Sequence, residues 1–386
     1  MQMQPYTRGT IVHLVLATLL LPTSMAGALE LEDPANFEVV QIWSGGDIGV
    51  PGLLGAMMFS EDGETLYVVG NSEQPGSALY AVAVTRDPET GRVTDLGPAE
   101  TTTLVFSGTL TGLDAGLELG PDGTLFYTYF PANRIAQRPG GFEGAETTYD
   151  MSVVDVPDSV AGLTFSPHID DPNTGFGQMQ VSSWQEDLSA EFRNIYNIPL
   201  TSAGGGMFTP GDAVLFVTLP RQGTGALQYV PSGLFEGDLM YLNWDYGEIR
   251  VLAIDQATGL PIDADTDEPT LGTTNPVDEL FASDLGQGPW GLEFDLRSND
   301  FFVSTWEGDP FNSIIQLSGP GFTNGNGGTG GDGGTGGAGG TPTDDGGGGC
   351  GCRVQEPRDG VGTLLLVGMM VVFLLRPRRK RKIRSR

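Results

Sequence analysis

The sequence predicts an all-β protein with the fold of a β-propeller, and two observations lead to this prediction. Five stretches of the chain repeat one pattern, in which an apolar strand, a turn rich in Asp and Gly, and a second apolar strand follow one another. A third short strand follows most of these units, and another short strand precedes each of them. Repeated units of four short strands, without a helical pattern between them, are typical of propeller blades.

The five units have similar lengths and spacings. They are LLGAMMFSEDGETLYVVG (53–70), LDAGLELGPDGTLFYTYF (113–130), AGLTFSPHIDDPNTGFGQMQVSSW (161–184), GALQYVPSGLFEGDLMYLNW (225–244) and GPWGLEFDLRSNDFFVSTW (288–306). Five units predict five four-stranded blades, or six blades if the long interval 255–287 contains a further one. An ordinary β-sandwich is the alternative fold, because it too consists of short alternating strands.

The two ends of the repeat region are complementary. The last unit ends at Leu317 after three strands, whereas FEVVQIW (37–43) precedes the first complete unit. We therefore expect this N-terminal strand to supply the missing outer strand of the last blade and to close the ring.

The repeats also resemble known propellers. Their G-L-x-F … D-G-x-L-F-V-S pattern is similar to that of NHL-type and gluconolactonase-type propellers, over a body that spans residues 29–318. This resemblance implies the fold only, because many unrelated propellers share the pattern. Quinoprotein sugar dehydrogenases resemble the chain in blade pattern, but their cofactor sites rely on histidine, lysine and arginine. The body has one histidine and no lysine, so this activity is not expected.

The first 28 residues have the pattern of a secretory signal peptide. Arg8 precedes an apolar run from Ile11 to Leu21, and Ala26-Gly27-Ala28 forms an A-x-A-like cleavage site. The run is shorter than the roughly 20 apolar residues of a membrane helix. A buried first strand or helix is the alternative. The sequence therefore predicts export, with cleavage after Ala28.

Three segments with distinct compositions belong to the C-terminal part of the chain. Residues 319–349 contain 17 glycines in 31 positions, which predicts a disordered, flexible linker. Residues 361–375 carry no charge and predict a transmembrane helix that is short for a full span. Residues 376–386 contain eight cationic residues, which predicts a basic cytoplasmic tail.

Together with the CGC-type motif in residues 350–360, this order resembles the MYXO-CTERM sorting signal of Gram-negative myxobacteria and their relatives. The motif contains Cys350 and Cys352, the only two cysteines of the chain. The resemblance implies that a membrane protease cuts near one of these cysteines, without deciding which. It also implies retention at the cell surface or outer envelope of a Gram-negative bacterium, with a membrane anchor before processing. An uncleaved tail anchor is the alternative.

The body is strongly acidic. Residues 29–318 contain 44 Asp and Glu against eight Arg and no Lys, which gives a net charge of −36. Such a body repels nucleic acid and anionic membranes, so neither is an expected partner of the body. The predicted contact with a membrane is through the C-terminal segment alone.

The sequence offers few candidates for catalysis. His168, the only histidine of the body, lies in SPHIDDPNTG, where a solvated turn residue is the simplest interpretation. Signatures such as G-x-S-x-G, H-E-x-x-H or a phosphate loop do not occur. We therefore expect no catalytic residue and predict a binding or structural module at the cell surface. One alternative is a calcium-dependent, lactonase-like hydrolase at the channel mouth, in which metal and carboxylates act. A second is a scaffold that packs against other surface proteins.

One acidic loop is a candidate calcium site. Asp263, Asp265 and Asp267 alternate with small residues, a spacing that lets carboxylates converge on one hard cation. The loop lacks the glycine and the distal glutamate of an EF-hand, and a solvated acidic turn is the alternative.

Aromatic and acidic residues at equivalent places of the units predict a ligand-binding face. Three second strands end in tryptophan, with Phe130 in the same place of unit two, and acidic residues follow. The tryptophans are Trp184, Trp244 and Trp306, and the acidic residues are Glu186, Asp245 and Glu307. Aromatic rings beside carboxylates suit a carbohydrate or a calcium-bridged ligand, such as a surface polysaccharide. The alternative is that the tryptophans pack between blades.

Overall fold

The computed structural model describes residues 29–157, 159–184, 193–221, 223–285, 288–306 and 311–319. Strands dominate these residues, and the helices among them are four short 3-10 helices. These are Ala99–Thr101, Pro121–Gly123, Gly141–Glu143 and Met151–Val154. No helix in the described ranges is long and apolar enough to cross a membrane. The predicted signal peptide, sorting motif, transmembrane segment and basic tail lie outside the described residues, as does the linker beyond residue 319.

Five sheets share one antiparallel order of four strands, from the first, innermost strand to the outer strand. Sheet 1 consists of Met57–Phe59, Thr65–Gly70, Ala78–Arg86 and Thr103–Ser107. Sheet 2 consists of Leu113–Leu119, Leu125–Tyr129, Arg134–Arg138 and Thr147–Asp150. Sheet 3 consists of Val160–Asp170, Gly177–Ser183, Asn194–Ile198 and Val214–Thr218. Sheet 4 consists of Thr224–Tyr229, Leu239–Asn243, Glu248–Leu252 and Asp278–Ser283. Sheet 5 consists of Pro289–Asp295, Asp300–Thr305, Ser313–Ser318 and Glu38–Ser44.

Additional short strands pair with two of these sheets or form small sheets of their own. Glu30–Leu31 pairs with the outer strand of sheet 4, and Val93–Leu96 pairs with the third strand of sheet 1. Two small sheets complete the described strands, and their members are Leu200–Gly204 with Met207–Pro210, and Ile254–Asp255 with Leu260–Asp263 and Glu268–Pro269. The described part of the interval 255–287, residues 255–285, holds part of a small sheet and the outer strand of sheet 4, and no further four-stranded sheet occurs within it.

The sheets are arranged around an axis as in a β-propeller. The first strands of consecutive sheets contact one another, and the first strand of sheet 5 also contacts that of sheet 1. Five clusters of buried apolar side chains lie between neighbouring sheets, one of them between sheets 5 and 1. The outer strand of sheet 5 comes from the N-terminus, and Ile42 stands opposite Ile315 in this pairing.

Glycine and hydroxyl residues bring the first strands close to the axis. In sheet 3, Ser182 Oγ accepts the Gly162 N–H at 2.8 Å and donates to carbonyls of the neighbouring first strand in sheet 4. A Cβ on Gly162 would lie 2.2 Å from Gly225 O, so this approach requires glycine. Thr128 and Ser304 form the same bridges from sheets 2 and 5. The glycine of the G-L-x-F pattern thus allows neighbouring sheets to meet.

Candidate functional site

The four predicted aromatic residues occupy equivalent backbone positions. The main-chain N–H of Trp184 donates to Ser159 O at 2.7 Å, and that of Phe130 donates to Gly112 O at 2.8 Å. The main-chain N–H groups of Trp244 and Trp306 make matching bonds to Gly223 O and Gly288 O, each at 2.7 Å. In every case the acceptor precedes the first strand of the same sheet. The four residues therefore lie at one end of the axis, where the first strands begin.

At this end the rings converge around Trp290, a first-strand residue that the sequence analysis did not select. The centroid of the Trp290 ring lies 6.3 Å from that of Trp184, 6.4 Å from Trp244 and 6.1 Å from Trp306. Phe130 contacts Trp184 edge-on at 4.7 Å. We call these five residues the aromatic cluster. The tryptophans thus pack on one another at the axis, with Ala115 and Ala161 beneath them, and not between blades.

The indole N–H groups of the aromatic cluster differ in their partners. Trp290 Nε1 donates to Asp114 Oδ1 at 2.5 Å. The Nε1 atoms of Trp184, Trp244 and Trp306 are buried, and none has a hydrogen-bond partner in the structure. The Asn243 amide, next to Trp244 in the chain, likewise has no partner for either of its polar atoms. A buried polar group without a partner costs about 1–3 kcal/mol, so this end of the axis presents unused hydrogen-bonding capacity.

Asp114 is the buried acid beneath the aromatic cluster. Its Oδ1 accepts from Trp290 of sheet 5 and, at 3.1 Å, from the hydroxyl of Ser72, which follows the second strand of sheet 1. Burial raises the pKa of Asp114 to about 7, although both hydrogen bonds act in the opposite direction. A carboxyl group of sheet 2 therefore connects three sheets at the axis.

Of the three acidic residues of the predicted ligand-binding face, the structure describes Asp245. Asp245 is half-buried, and a Cβ on Gly223 would lie 2.8 Å from its Oδ2 atom. Glu186 and Glu307 lie outside the described residues, as do the processing residues Ala28, Cys350 and Cys352. The placement of these acids around the aromatic cluster stays a prediction.

The candidate calcium loop forms the turn between two strands of a small sheet. Asp263 Oδ1 accepts the main-chain N–H of Asp265 at 3.1 Å, and its Oδ2 accepts the Thr273 hydroxyl at 2.5 Å. These bonds lower the pKa of Asp263, whereas Asp265 and Asp267 are exposed. The described residues contain no group of three or more His, Cys, Asp or Glu that could hold a metal ion. Calcium binding by this loop stays a prediction.

The opposite end of the axis holds polar side chains that the sequence analysis missed. They occupy the x position of the G-L-x-F pattern in sheets 2 to 5 and are Glu118, Thr164, Gln228 and Glu293, whereas sheet 1 has the apolar Met58 at this position. Burial raises the pKa of Glu118 to about 8. Burial and the charge of Glu118 raise the pKa of Glu293 well above its ordinary value. Alignment of the five units would have found these residues, because equivalent positions share one height along the axis.

His168 also differs from its interpretation as a solvated turn residue. It lies within the strand Val160–Asp170 and is half-buried, with Nε2 at 3.0 Å from Gly237 O. The extension of this strand beyond the G-L-x-F pattern places the imidazole beside sheet 4, where its ring contacts Tyr229 edge-on at 5.7 Å.

Comparisons with solved structures find distant similarity to propeller proteins of the kind that the repeats resemble. Myxococcus xanthus glutaminyl cyclase matches with 13% identity and a TM-score of 0.41, over 73% of this chain and 95% of that one. Virginiamycin B lyase from Staphylococcus aureus matches with 14% identity and a TM-score of 0.35, over 73% and 99%. An auxiliary nutrient binding protein from Bacteroides ovatus matches with 13% identity and a TM-score of 0.38, over 73% and 76%.

Neither protein-family models nor curated protein sequences match the chain. Likeness at these identities and TM-scores carries no argument about activity.

Proposed function

We propose that the protein is a cell-surface binding module that takes a carbohydrate at the aromatic end of a propeller. The observation that carries this proposal is the set of three buried indole N–H groups without partners, in Trp184, Trp244 and Trp306. Hydroxyl and ring oxygens of a sugar accept hydrogen bonds, so a sugar would satisfy donors that the protein itself leaves unpaired.

The packing of the indoles determines how they would recognise a sugar. Their ring faces and edges contact one another within the aromatic cluster. Recognition in this proposal therefore relies on the N–H groups and not on open ring faces, and because the Nε1 atoms are buried the surrounding side chains have to move apart to admit the sugar. Asp245 would accept hydrogen bonds from sugar hydroxyls, as would Glu186 and Glu307, which follow Trp184 and Trp306 in the sequence. Because the body carries a net charge of −36, the favoured glycan is neutral, or an acidic one bridged by calcium.

The propeller of this proposal has five blades and is closed by its N-terminal strand. The five four-stranded sheets and the pairing of Glu38–Ser44 with Ser313–Ser318 support it. A closed ring holds the first strands at fixed positions, which would keep the backbone of the aromatic cluster rigid before a ligand arrives.

Export and surface retention complete the proposal, on the basis of the terminal segments. Cleavage after Ala28 would release the exported chain, and a membrane protease would process it at Cys350 or Cys352. Cell fractionation tests this part. The double variant Cys350→Ala, Cys352→Ala is expected to keep its precursor size or to escape into the medium. Retention of this variant at wild-type size would leave a simple tail anchor as the explanation.

Binding is tested with Trp→Phe variants of the full-length protein in mild detergent. Trp244→Phe and Trp306→Phe remove the indole N–H but keep an aromatic ring for packing. The matched control is Trp43→Phe, because Trp43 is also buried but its Nε1 donates to Asp95 at 3.2 Å, far from the axis. A glycan array with calcium present identifies a ligand, and calorimetry measures its affinity. We expect each of the two variants to weaken binding about tenfold, and the control to leave it unchanged.

Two results would contradict the carbohydrate proposal. One is that the wild-type protein binds no glycan on the array. The other is that the axial variants and Trp43→Phe bind the glycan equally well, which would assign the indoles to packing.

A further inference from the structure

A cleft opens at the end of the axis opposite the aromatic cluster. It lies between sheets 3 and 4, where their first strands end, and has a volume of about 270 Å³. Phe165 and Tyr229, at equivalent positions of the two sheets, line it with their rings. Two prolines extend this apolar lining: Pro167 lies in the same strand as Phe165, and Pro231 follows the strand that ends at Tyr229. The cleft therefore has apolar walls contributed by two blades.

The polar lining of the cleft is acidic and neutral. Glu118 reaches it from sheet 2, Thr164 and Gln228 lie beside it, and Glu236 stands at its exposed edge. Neither Arg nor Lys occurs among the described residues that line it. Seven of the eight arginines of the body are paired with carboxylates elsewhere, and Arg193 donates to Pro220 O. Glu118 thus faces the cleft without an arginine or lysine among the described residues that line it.

We propose that this cleft binds a small organic cation, a primary alkylammonium group attached to an apolar body. The ammonium group would lie against the Glu118 carboxylate and the Gln228 amide oxygen, and the apolar body against Phe165 and Tyr229. Three physical reasons favour a cation over a neutral ligand. A half-buried carboxylate gains most from a partner of opposite charge, aromatic rings attract cations, and the negative body concentrates cations around it.

Titration of Glu118 gives this binding a distinct signature. Because burial raises its pKa to about 8, Glu118 is mostly protonated near neutral pH. An ammonium group favours the ionised form, so binding should release a proton, and affinity should rise from pH 6.5 to 8.5. Other titratable groups near Glu118 are Glu293 across the axis, and Glu236 and His168 at the cleft.

The test uses calorimetry on the full-length protein with phenethylammonium chloride, and 2-phenylethanol as the neutral probe of similar shape. Phenethylammonium stays protonated over this range of pH, as a lysine side chain does. We expect its affinity at pH 8.5 to exceed that at pH 6.5 by about tenfold or more. Buffers with different ionisation enthalpies should report proton release at pH 6.5. The neutral alcohol should bind at least about tenfold more weakly at pH 8.5.

Matched variants assign the effect to Glu118. Glu118→Gln keeps the shape of the side chain and should weaken ammonium binding at pH 8.5 by about ten- to a hundredfold, with no remaining dependence on pH. Glu89→Gln removes one charge from an exposed turn outside the cleft and should bind as wild type does. His168→Gln should keep the pH dependence, which separates Glu118 from the imidazole. Circular dichroism verifies that each variant is folded.

Several outcomes would overturn the proposal. They are equal binding of alcohol and ammonium, no binding of the ammonium by wild type, and unchanged binding by Glu118→Gln. Displacement of the ammonium by a neutral oligosaccharide would instead make the cleft a sugar site. The cleft lies at the end of the axis opposite the aromatic cluster, so this proposal is independent of the proposed sugar site. Trp244→Phe should therefore leave ammonium binding unchanged.

Discussion

At the scale of single residues, Asp114 shows how one side chain organises the centre of the molecule. Its carboxyl group is completely buried and accepts hydrogen bonds from Ser72 and Trp290. The same group has one oxygen, Oδ2, without a partner. Its pKa of about 7 means that it is largely protonated in mildly acidic solution, where no charge has to be buried at the axis.

Asp114 should therefore make folding stability depend on pH. Its folded pKa is raised from 3.8 to about 7, so its contribution is greatest below pH 4 and is lost as pH rises through 7. Asp114→Asn cannot titrate. Urea unfolding should show wild type losing about 2–3 kcal/mol relative to Asp114→Asn between pH 5 and pH 8. The exposed Asp212→Asn serves as the control. A constant difference between wild type and Asp114→Asn at both pH values would contradict the assignment.

At the scale of strands, a hydroxyl on the second strand bridges neighbouring first strands in three of the five sheets. Ser182, Thr128 and Ser304 occupy the same place in their sheets, and each joins its own first strand to the next one. In sheets 1 and 4 this place holds Val69 and Leu242, whose side chains join apolar clusters instead. The bridge is thus used at three of the five junctions between first strands.

Two adjacent serines of one strand allow a matched test of this bridge. Ser182 and Ser183 are both fully buried, but Ser183 Oγ makes a single long bond of 3.4 Å to Asn194 O. Ser182→Ala leaves the Gly162 N–H and a carbonyl of sheet 4 without partners, and should reduce the free energy of unfolding by about 1–3 kcal/mol. Ser183→Ala should cost less than about 1 kcal/mol. Equal losses in denaturant unfolding would show that the bridge adds nothing.

At the scale of the whole molecule, side chains as well as strands join the first sheet to the last. Arg86, at the end of the third strand of sheet 1, forms a two-point ion pair with Asp295 of sheet 5, at 2.6 and 3.0 Å. The two side chains are 7% and 1% exposed. A second pair between the same sheets, Arg297 with Glu64, is 46% and 56% exposed. The molecule therefore offers a buried and an exposed connection across one junction.

These two pairs should contribute very differently to stability. Arg86→Met leaves Asp295 buried without its cation and should lower the free energy of unfolding by about 3–5 kcal/mol. Arg297→Met breaks a solvated pair and should change it by about 0–1 kcal/mol. Thermal and urea unfolding of both variants at pH 7 measure the difference. If Arg86→Met were as stable as Arg297→Met, the buried pair would not stabilise this junction.

The repeat pattern of the sequence was sufficient to predict the strands of the five four-stranded sheets, but not the short additional strands such as Val93–Leu96 and Leu200–Gly204. Apolar residues alternate along each strand, and turns rich in Asp and Gly separate the strands. Both signals depend only on residues that are close together in the chain. The same reasoning predicted that Trp184, Trp244 and Trp306 occupy equivalent positions, which their main-chain bonds confirm. Local spacing also drew attention to Asp263 and its neighbours, but the bonds that the Asp263 carboxylate makes within its own turn could not be read from it.

By itself, the sequence determined the all-β class of this protein, the limits of its repeats and its strongly acidic charge, because composition and periodicity are local properties. Only the tertiary structure decided which side chains meet at the axis. Asp114 and Trp290 are 176 residues apart and belong to different sheets, yet they share a hydrogen bond. Glu118 and Gln228 come to one cleft for the same reason. Packing of sheets around an axis brings such residues together, and no local pattern encodes the distance between them.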